Sequence, residues 1–448
     1  MTSDSSTGFN RSNVNTVVQL GSANNPMAGC STRWWRVGFG FGSQSDCVSK
    51  PVFSVASLQV GLWLSCGPMH PALLLTGLTL LVASARAAEL PPMLNLPGTG
   101  GDVAKIDFAK LPVLKGRHAV VCPYEEAWQF QLHNYLLHHE GKFWCMWSAG
   151  PVVEDAPTQH VRYATSADGL SWSAPRNLTG PPAEGRAYIA RGFWVRDGEL
   201  LALAASYRGK GAFGVDKDLK LVAFGWDKAR DTWTQKAIVF ENAINNFAPQ
   251  KLSTGEWMMT RRDARFNVSM LIGGVKSLTD WQVVPVVDRL AALKASKFSP
   301  DEPVWWELTD GTLMSAIRDN GGSQRLFRSV STDHGRTWSA PEISNYPNST
   351  SKLFTLQTSR GFRVLVSNAN PAVGRRELHL AVSEDGRQFT RMARLDIPSP
   401  RATTFQYPHV IEHDGSLLIA FSNKKNVTEV LKVPLDEVAR LRDKRGEP

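Results

Sequence analysis

The stretch STDHGRTW at residues 331–338 recurs in weaker form at two other places, as SADGLSW at 166–172 and SEDGRQF at 383–389. Each copy contains a Ser, an Asp two residues later, a Gly and then an aromatic residue. Such a cluster is typical of a tight hairpin turn, in which the Asp accepts backbone N–H groups, the Gly takes a positive φ and the aromatic side chain packs against a core. Three copies of one turn predict a repeat architecture.

The aromatic residues that close these turns give the length of the repeat. They are Trp172, Trp233, Trp281, Trp338 and Phe389, separated by 61, 48, 57 and 51 residues. This length suits a four-stranded antiparallel blade, and helical periodicity is nearly absent between the turns. The five aromatic residues indicate five blades, and one further blade is formed by pairing the C-terminal strands with the first ones. The sequence therefore predicts an all-β fold: a six-bladed β-propeller over residues 105–440. A pair of β-sandwiches is the alternative.

The composition is typical of a globular, aromatic-rich protein, with 42% hydrophobic residues, 20% charged residues and 15 Trp in 448 residues. A disordered chain would be more polar, and a membrane-spanning one would contain longer apolar runs. The net charge of +9 is spread thinly, without a long Lys/Arg run. We therefore expect no nucleic-acid partner, whereas an anionic small ligand is compatible with this charge.

The N-terminal region contains an apolar stretch, PALLLTGLTLLVASARA at 71–87, which ends in an Ala-Arg-Ala cleavage pattern. It is short and interrupted by Thr and Gly, so it predicts a secretory signal peptide rather than a transmembrane helix. A buried N-terminal hydrophobic helix is the alternative. The expected product is secreted or periplasmic, begins at or near Ala88 and has no membrane span. The predicted organisation is a disordered leader or upstream mis-start over 1–68, with Met69 as the true beginning, a signal peptide over 69–87 and the propeller over 88–448.

Two cysteines lie beyond this region, Cys122 and Cys145. In an exported protein they could form one disulfide, and two buried thiols are an equally good interpretation. No Cys/His spacing typical of a structural zinc site occurs in the sequence.

The turn STDHGRTW resembles the Asp box of sialidases (neuraminidases), and the resemblance extends over most of residues 118–433. Asp boxes lie on the outer rim of a propeller and are structural, so the resemblance implies that the chemistry lies where the inner strands converge. Three segments there resemble sialidase active-site segments: DEPVWWELTDGTLMSAIRDN at 301–320, SNANPAVGRRELHLAVSEDG at 367–386 and FQYPHVIEHDGSLLIAFS at 405–422.

These segments imply a role for each matching residue. Tyr407 corresponds to the nucleophile and Glu302 to its base partner, while Arg318 and Arg375 correspond to arginines that bind the substrate carboxylate; Arg376 is the neighbour that could be confused with Arg375. A tyrosine suits an anomeric carbon that carries a carboxylate, because a carboxylate nucleophile would be repelled. Arginine binds a carboxylate through a bidentate fork that lysine cannot reproduce.

The first blade departs from the sialidase pattern. The stretch QLHNYLLHHEGKFWCMWS at 131–148 places His133 where the family has its first arginine, and a histidine is only partly charged at neutral pH. In the loop before the first Asp box we assign the acid/base role to Asp155, with Glu154 as the other candidate. Further basic candidates are Arg186 and Arg191 in GRAYIARG, and Arg261, Arg262 and Arg265 in TRRDARFN; of these we select Arg262 as a substrate contact, an Asp263-centred salt-bridge cluster being the alternative.

The resemblance implies a secreted, retaining glycoside hydrolase that acts from the chain end on the terminal acidic sugar of a glycan, as an exo-α-sialidase does. One alternative is a non-catalytic glycan-binding propeller. Another is a hydrolase specific for a uronic acid or other acidic sugar. We expect a monomer that needs neither a cofactor nor a metal ion and whose partner is the glycan itself.

Overall fold

The computed structural model describes residues 90–398 and 403–443, which all belong to one compact unit, Ala83–Pro448. The predicted leader over 1–68 and the predicted signal peptide over 69–87 lie outside the described residues and stay predictions. Among the residues described, no helix is both long and apolar enough to cross a membrane.

The chain enters the fold through two short 3-10 helices, Val103–Lys105 and Phe108–Lys110, and through strands β1 (Val113–Leu114) and β2 (Arg117–Cys122). Three antiparallel sheets of four strands follow in chain order. Blade 1 consists of β3 (Phe130–His139), β4 (Lys142–Gly150), β5 (His160–Ser166) and β6 (Arg176–Asn177). Blade 2 consists of β7 (Arg186–Arg196), β8 (Glu199–Arg208), β9 (Lys220–Asp227) and β10 (Thr232–Glu241). Blade 3 consists of β11 (Gln250–Lys251), β12 (Trp257–Arg262), β13 (Val268–Gly273) and β14 (Trp281–Val287).

Helix α1 (Arg289–Ser296) leads into the second half of the fold. Blade 4 consists of β15 (Pro300–Glu307), β16 (Leu313–Asp319), β17 (Arg325–Ser331) and β18 (Glu342–Pro347). Blade 5 consists of β19 (Phe354–Gln357), β20 (Arg363–Ser367), β21 (His379–Ser383) and β22 (Arg391–Leu395), with a 3-10 helix, Pro371–Val373, between β20 and β21. Blade 6 consists of β23 (Phe405–His413), β24 (Ser416–Asn423) and β25 (Val427–Pro434), after which helix α2 (Leu435–Asp443) begins.

The N-terminal strand β2 closes the ring by pairing antiparallel with β25 as the fourth strand of blade 6, while β1 adds to β22 in parallel. The first strands of five blades follow one another around the central axis, where β15 contacts β19, β19 contacts β23, β23 contacts β3 and β3 contacts β7. The predicted six-bladed β-propeller and its closure are therefore confirmed, and the β-sandwich alternative is wrong.

The middle strands of each blade explain why the sequence shows apolar runs rather than alternation. Every residue of β16 and β21 is buried, whereas the outermost strand β10 is mostly exposed. A strand that is covered by neighbouring blades on both faces needs apolar or fully paired side chains at every position. Cys122 in the outer strand β2 and Cys145 in the middle strand β4 are both buried free thiols, so no disulfide joins them.

The three predicted Asp-box aspartates occupy equivalent turns, each between the third and fourth strands of its blade. Asp333 accepts the Ser331 hydroxyl at 2.7 Å and the Thr337 amide at 2.9 Å. Because Thr337 also donates its hydroxyl, the pKa of Asp333 falls to about 2. The turns of Asp168 and Asp385 repeat the pattern, since each accepts the preceding Ser hydroxyl at 3.0 Å.

The glycine of each Asp box is required by its surroundings. In blade 5, Gly386 has φ 70°, and a Cβ atom there would lie 2.6 Å from Cδ2 of Leu308 in the neighbouring blade. The carbonyl of Gly386 accepts the indole N–H of Trp306 at 2.9 Å. The turn therefore fastens one blade to the next, which is a structural role.

Candidate functional site

Four innermost strands carry a β-bulge at corresponding places: β3, β7, β15 and β23. The bulged positions include His133, Arg191, Glu302 and Tyr407. Three of these residues have a positive φ, which is 60° at His133, 43° at Glu302 and 57° at Tyr407. A bulge bends its strand and redirects a side chain, and non-glycine residues with positive φ are strained. The fold thus directs side chains of four blades towards the axis at the cost of local strain.

Glu302 and Arg318 form a buried ion pair on adjacent strands. Arg318 Nη1 donates to Glu302 Oε2 at 2.5 Å and lies 3.8 Å from Asp301 Oδ2. Burial opposes ionisation of Glu302, but the charges of Arg318, Arg262 and Lys352 outweigh it and lower the pKa of the carboxyl. Glu302 is therefore ionised at neutral pH.

Tyr407 is buried beside this pair. Its ring centroid lies 5.1 Å from that of His133, and Lys352 Nζ lies 5.3 Å from its ring centre. Burial, together with the charge of Glu302, raises the pKa of the phenol well above its ordinary value. Tyr407 therefore carries its proton at neutral pH, and its hydroxyl makes no hydrogen bond to Glu302 in this structure.

His133 is a neutral residue in this site. The amide of Ala190 donates to Ser148 Oγ at 2.9 Å, and the same oxygen is hydrogen-bonded with His133 Nδ1 at 3.0 Å. The other ring nitrogen, Nε2, lies 3.7 Å from Glu154 Oε1. Burial and the charge of Arg191 hold the pKa of His133 well below 6.5. His133 therefore offers one hydrogen bond and no positive charge.

The two acid/base candidates, Glu154 and Asp155, both lie in the loop between β4 and β5 but have different partners. Glu154 pairs with Lys425. Asp155 has φ 60° and accepts the Tyr207 hydroxyl at 3.3 Å. Burial, with the neighbouring charge of Glu154, raises the pKa of Asp155 to about 6. Asp155 is therefore the carboxyl of this loop that can carry a proton near neutral pH.

Arg375 lies in the loop between β20 and β21, next to the strand of Tyr407. Its guanidinium donates to Gln406 Oε1 at 3.0 Å and to the carbonyl of Thr350 at 2.6 Å. It is half-buried and has no carboxylate partner among the residues that the structure describes. The exposed Arg376 donates only to a carbonyl of its own turn. The structure thus places Arg375, rather than Arg376, beside the site.

Arg262 belongs to the floor of the site. It pairs with Asp301, and its guanidinium carbon lies 5.0 Å from the ring centre of Phe213. The Asp263-centred cluster does not form, because Asp263 accepts the backbone amides of Arg265 and Asn267 at 2.8 and 2.9 Å. Arg262 is therefore a charged neighbour of Glu302.

Lys352 is a site residue that sequence reasoning missed. It is 1% exposed, and its Nζ donates to Tyr135 Oη at 2.7 Å and to the carbonyl of Asn246 at 3.2 Å. Burial lowers its pKa well below the value for a free lysine. A lysine that follows a polar loop normally stays in solvent, so its burial could not be predicted from the sequence.

The site at the propeller axis, here called the funnel, is formed by the side chains described above. It therefore combines a buried carboxylate, a buried tyrosine, several arginines and a carboxyl group that can be protonated. These are the parts required for covalent glycoside cleavage by a tyrosine. Among the residues that the structure describes, no group of three His, Cys, Asp or Glu side chains could hold a metal ion.

The comparisons with known proteins agree with this architecture. The family model of the BNR repeat-like domain matches residues 276–419. A sialidase of Trypanosoma rangeli in complex with sialic acid is similar in structure, with a TM-score of 0.57 and 14% identity over 74% of this chain and 61% of that one. The NanB sialidase of Streptococcus pneumoniae has a TM-score of 0.54 and 10% identity over 70% of each chain. No curated protein matches the sequence.

A protein of unknown function from Dyadobacter fermentans is similar over almost its whole length. Its TM-score is 0.56, with 15% identity over 71% of this chain and 98% of that one. The fold thus defines a class, the six-bladed propellers whose turns are Asp boxes. The chain is a six-bladed β-propeller with the fold of these sialidases, and about a third of it, residues 276–419, matches the BNR repeat-like domain.

Proposed function

We propose that the protein is a secreted, retaining glycosidase that removes a terminal acidic sugar, with Tyr407 as its nucleophile. The observation that carries the proposal is the convergence of Glu302, Arg318 and Tyr407 in one buried cluster, two of them on strained bulges. Strain of this kind persists where surrounding structure enforces it, and it concentrates at functional sites.

In the first step, the Tyr407 oxygen attacks the anomeric carbon while the bond to the leaving oxygen breaks. Glu302 takes the phenol proton, because a phenol of raised pKa cannot ionise unaided at neutral pH. Asp155 gives its proton to the leaving oxygen. In the second step water attacks the same carbon, Asp155 takes the water proton, and the Tyr407 oxygen recovers its proton from Glu302. Two displacements retain the anomeric configuration.

The substrate carboxylate has a direct effect on the base. Arg318 binds Glu302 in this structure, so an incoming carboxylate competes with Glu302 for the same guanidinium. When Arg318 turns to the substrate, Glu302 loses part of the positive charge that lowers its pKa. Binding of an acidic sugar therefore makes Glu302 a stronger base and couples recognition to the chemical step.

The identity of the sugar depends on the first blade. A neutral His133 cannot replace a guanidinium in a three-arginine clamp. This favours a carboxylate that is bound by arginines of the other blades, whether the sugar is a sialic acid or a uronic acid. The second candidate function, a glycan-binding protein without catalysis, is favoured by the missing hydrogen bond between Tyr407 and Glu302.

An assay with aryl glycosides tests the proposal. The secreted protein is incubated with 4-methylumbelliferyl α-sialoside, the corresponding β-glucuronide and the neutral β-glucoside. Cleavage of an acidic glycoside, abolished in Tyr407→Phe and kept in Tyr346→Phe, supports a tyrosine nucleophile; Tyr346 is a buried tyrosine of the outer strand β18. Absence of cleavage together with binding of acidic glycans would support the second candidate. N-terminal sequencing of the exported protein tests the start at Ala88.

A further inference from the structure

Arg191 lies on β7 at a bulge that corresponds to those of His133, Glu302 and Tyr407 on the other three strands. The strand turns there through Gly192, which has φ 107°. A Cβ atom on this glycine would lie 3.0 Å from the backbone nitrogen of Ala248. Only glycine fits this conformation and this close approach. The bulge that presents Arg191 is therefore built into the sequence of blade 2.

The guanidinium of Arg191 is buried with two of its three nitrogens unpaired. Arg191 is 2% exposed, its Nε and Nη1 make no hydrogen bond to any described residue, and the guanidinium contacts the hydroxyl of Tyr135. No ion pair of Arg191 occurs within the described part of the chain. Arg262 and Arg318, by contrast, are paired with Asp301 and Glu302. A buried charge without a partner destabilises a fold, so its retention calls for a partner that comes from outside.

The neighbours of Arg191 place it at the funnel. Its charge lowers the pKa of His133 and of Lys352, and it opposes the rise in the pKa of Asp155. Burial is the larger cause of the shift in all three groups. The same Lys352 is surrounded by Arg262, Glu302 and Asp301. Arg262 and Arg318 are paired with the buried carboxylates of Asp301 and Glu302, so Arg191 is the arginine of this cluster that has no ion pair among the described residues.

We propose that Arg191 is a specificity-determining residue that binds the carboxylate of the acidic sugar. This inference rests on the proposed function and adds a third guanidinium, from blade 2, to Arg318 and Arg375. Arg318 must release Glu302 to bind the sugar, whereas Arg191 needs to release no carboxylate. An anion is the partner that its unpaired N–H groups can bind most strongly, because charge-assisted hydrogen bonds to a guanidinium form in pairs.

Calorimetric titration tests this assignment. N-acetylneuraminic acid, glucuronic acid and the methyl ester of each acid are titrated into wild type, Arg191→Gln, Arg191→Lys and Arg328→Gln. Arg328 is a matched control, because it is a buried arginine of β17 that donates only to the carbonyls of Leu90 and Pro91.

We expect Arg191→Gln to weaken binding of the preferred acid at least tenfold and to leave binding of its ester unchanged. Arg191→Lys keeps the positive charge but cannot form two parallel hydrogen bonds to a carboxylate, so it should give an intermediate affinity. Arg328→Gln should bind like wild type. The thermal midpoint of Arg191→Gln should equal or exceed that of wild type, since no ion pair is lost and an uncompensated buried charge is removed; a residue with a merely structural role would lower it.

The outcomes separate this inference from the proposed function. Wild-type protein that binds an acid, with unchanged affinity in both Arg191 variants, would overturn the role of Arg191 alone. An equal loss for acid and ester would also overturn it, because the effect would then not depend on the carboxylate. A wild type that binds neither acid would overturn the proposed function and this inference together.

Discussion

Arg318 and Glu302 are joined by a 2.5 Å hydrogen bond between neighbouring strands of blade 4, and both side chains are almost completely buried. The pair holds an ionised carboxylate beside the phenol of Tyr407. It also gives an incoming carboxylate a guanidinium to compete for. The ion pair stabilises the folded protein, whereas the proposed mechanism requires Arg318 to leave Glu302 for the substrate. Its contributions to stability and to catalysis can be measured separately.

The first prediction concerns the stability of this pair. Arg318→Met leaves the negative charge of Glu302 buried without its ion-pair partner, so the free energy of unfolding should fall by about 3 kcal/mol. Glu302→Gln should also destabilise the protein. The double variant should lose clearly less than the sum of the two single losses, because neither charge is then left alone. Urea denaturation followed by tryptophan fluorescence measures all four proteins. Strictly additive losses would show that the two residues are not coupled.

The second prediction is a pH dependence set by Asp155. The general acid must be protonated, and its pKa is about 6, so kcat/KM on a natural glycan should fall as the pH rises through this value. Asp155→Asn should remove this alkaline limb and lower the rate by roughly a hundredfold or more. Aryl glycosides should be affected less, since their leaving group needs little protonation.

Glu154→Gln is the matched control for the acid. The charge of Glu154 contributes to the raised pKa of Asp155, so the alkaline limb should persist in this variant and move to lower pH. The pH–rate profiles of the wild type and both variants measure these effects. An alkaline limb that survives in Asp155→Asn would assign the acid to another group.

The third prediction is that the Asp boxes contribute to stability and not to substrate binding. Asp333→Ala removes the hydrogen bonds from Ser331 and Thr337, and the free energy of unfolding should fall by about 1 kcal/mol. Because the pKa of Asp333 in the folded protein is about 2, against 3.8 ordinarily, its stabilising effect is present above pH 3.8 and disappears as the pH falls towards 2. The difference in thermal midpoint between wild type and variant should shrink over the same range, while KM stays unchanged. A large change in KM would show that the turn takes part in the site.

The fold could be predicted from the sequence because its repeat is marked by a local turn. The hydrogen bonds of the Asp box involve only residues within the turn, so the motif is legible in the sequence around Asp168, Asp333 and Asp385. The closing aromatics then give the blade length. Closure by β2 follows because a ring without exposed sheet edges needs one strand from the other terminus.

The arrangement of the site was less predictable, because a β-bulge is a change of register that leaves no clear mark in a fully buried strand. The strands of Glu302 and Tyr407 do carry a sign, since Pro303 and Pro408 follow these residues and proline suits a bulge. In blade 2 the corresponding sign is Gly192, because an isolated glycine inside a strand favours a bulge, but this glycine does not indicate which partners Arg191 has. Its pairing state depends on carboxylates from other blades, and such long-range partners cannot be read from a single strand.

Covalent trapping tests the central claim most directly. The protein is incubated with a fluorinated analogue of the acidic sugar that it cleaves, which is the 2,3-difluoro derivative for a sialic acid and the 2-deoxy-2-fluoro glycosyl fluoride for a uronic acid, and the adduct is located by intact mass and peptide mapping. We expect one sugar per chain, attached to the peptide that contains Tyr407, and no adduct in Tyr407→Phe. An adduct on another side chain, or turnover by Tyr407→Phe at the wild-type rate, would show that Tyr407 is not the nucleophile.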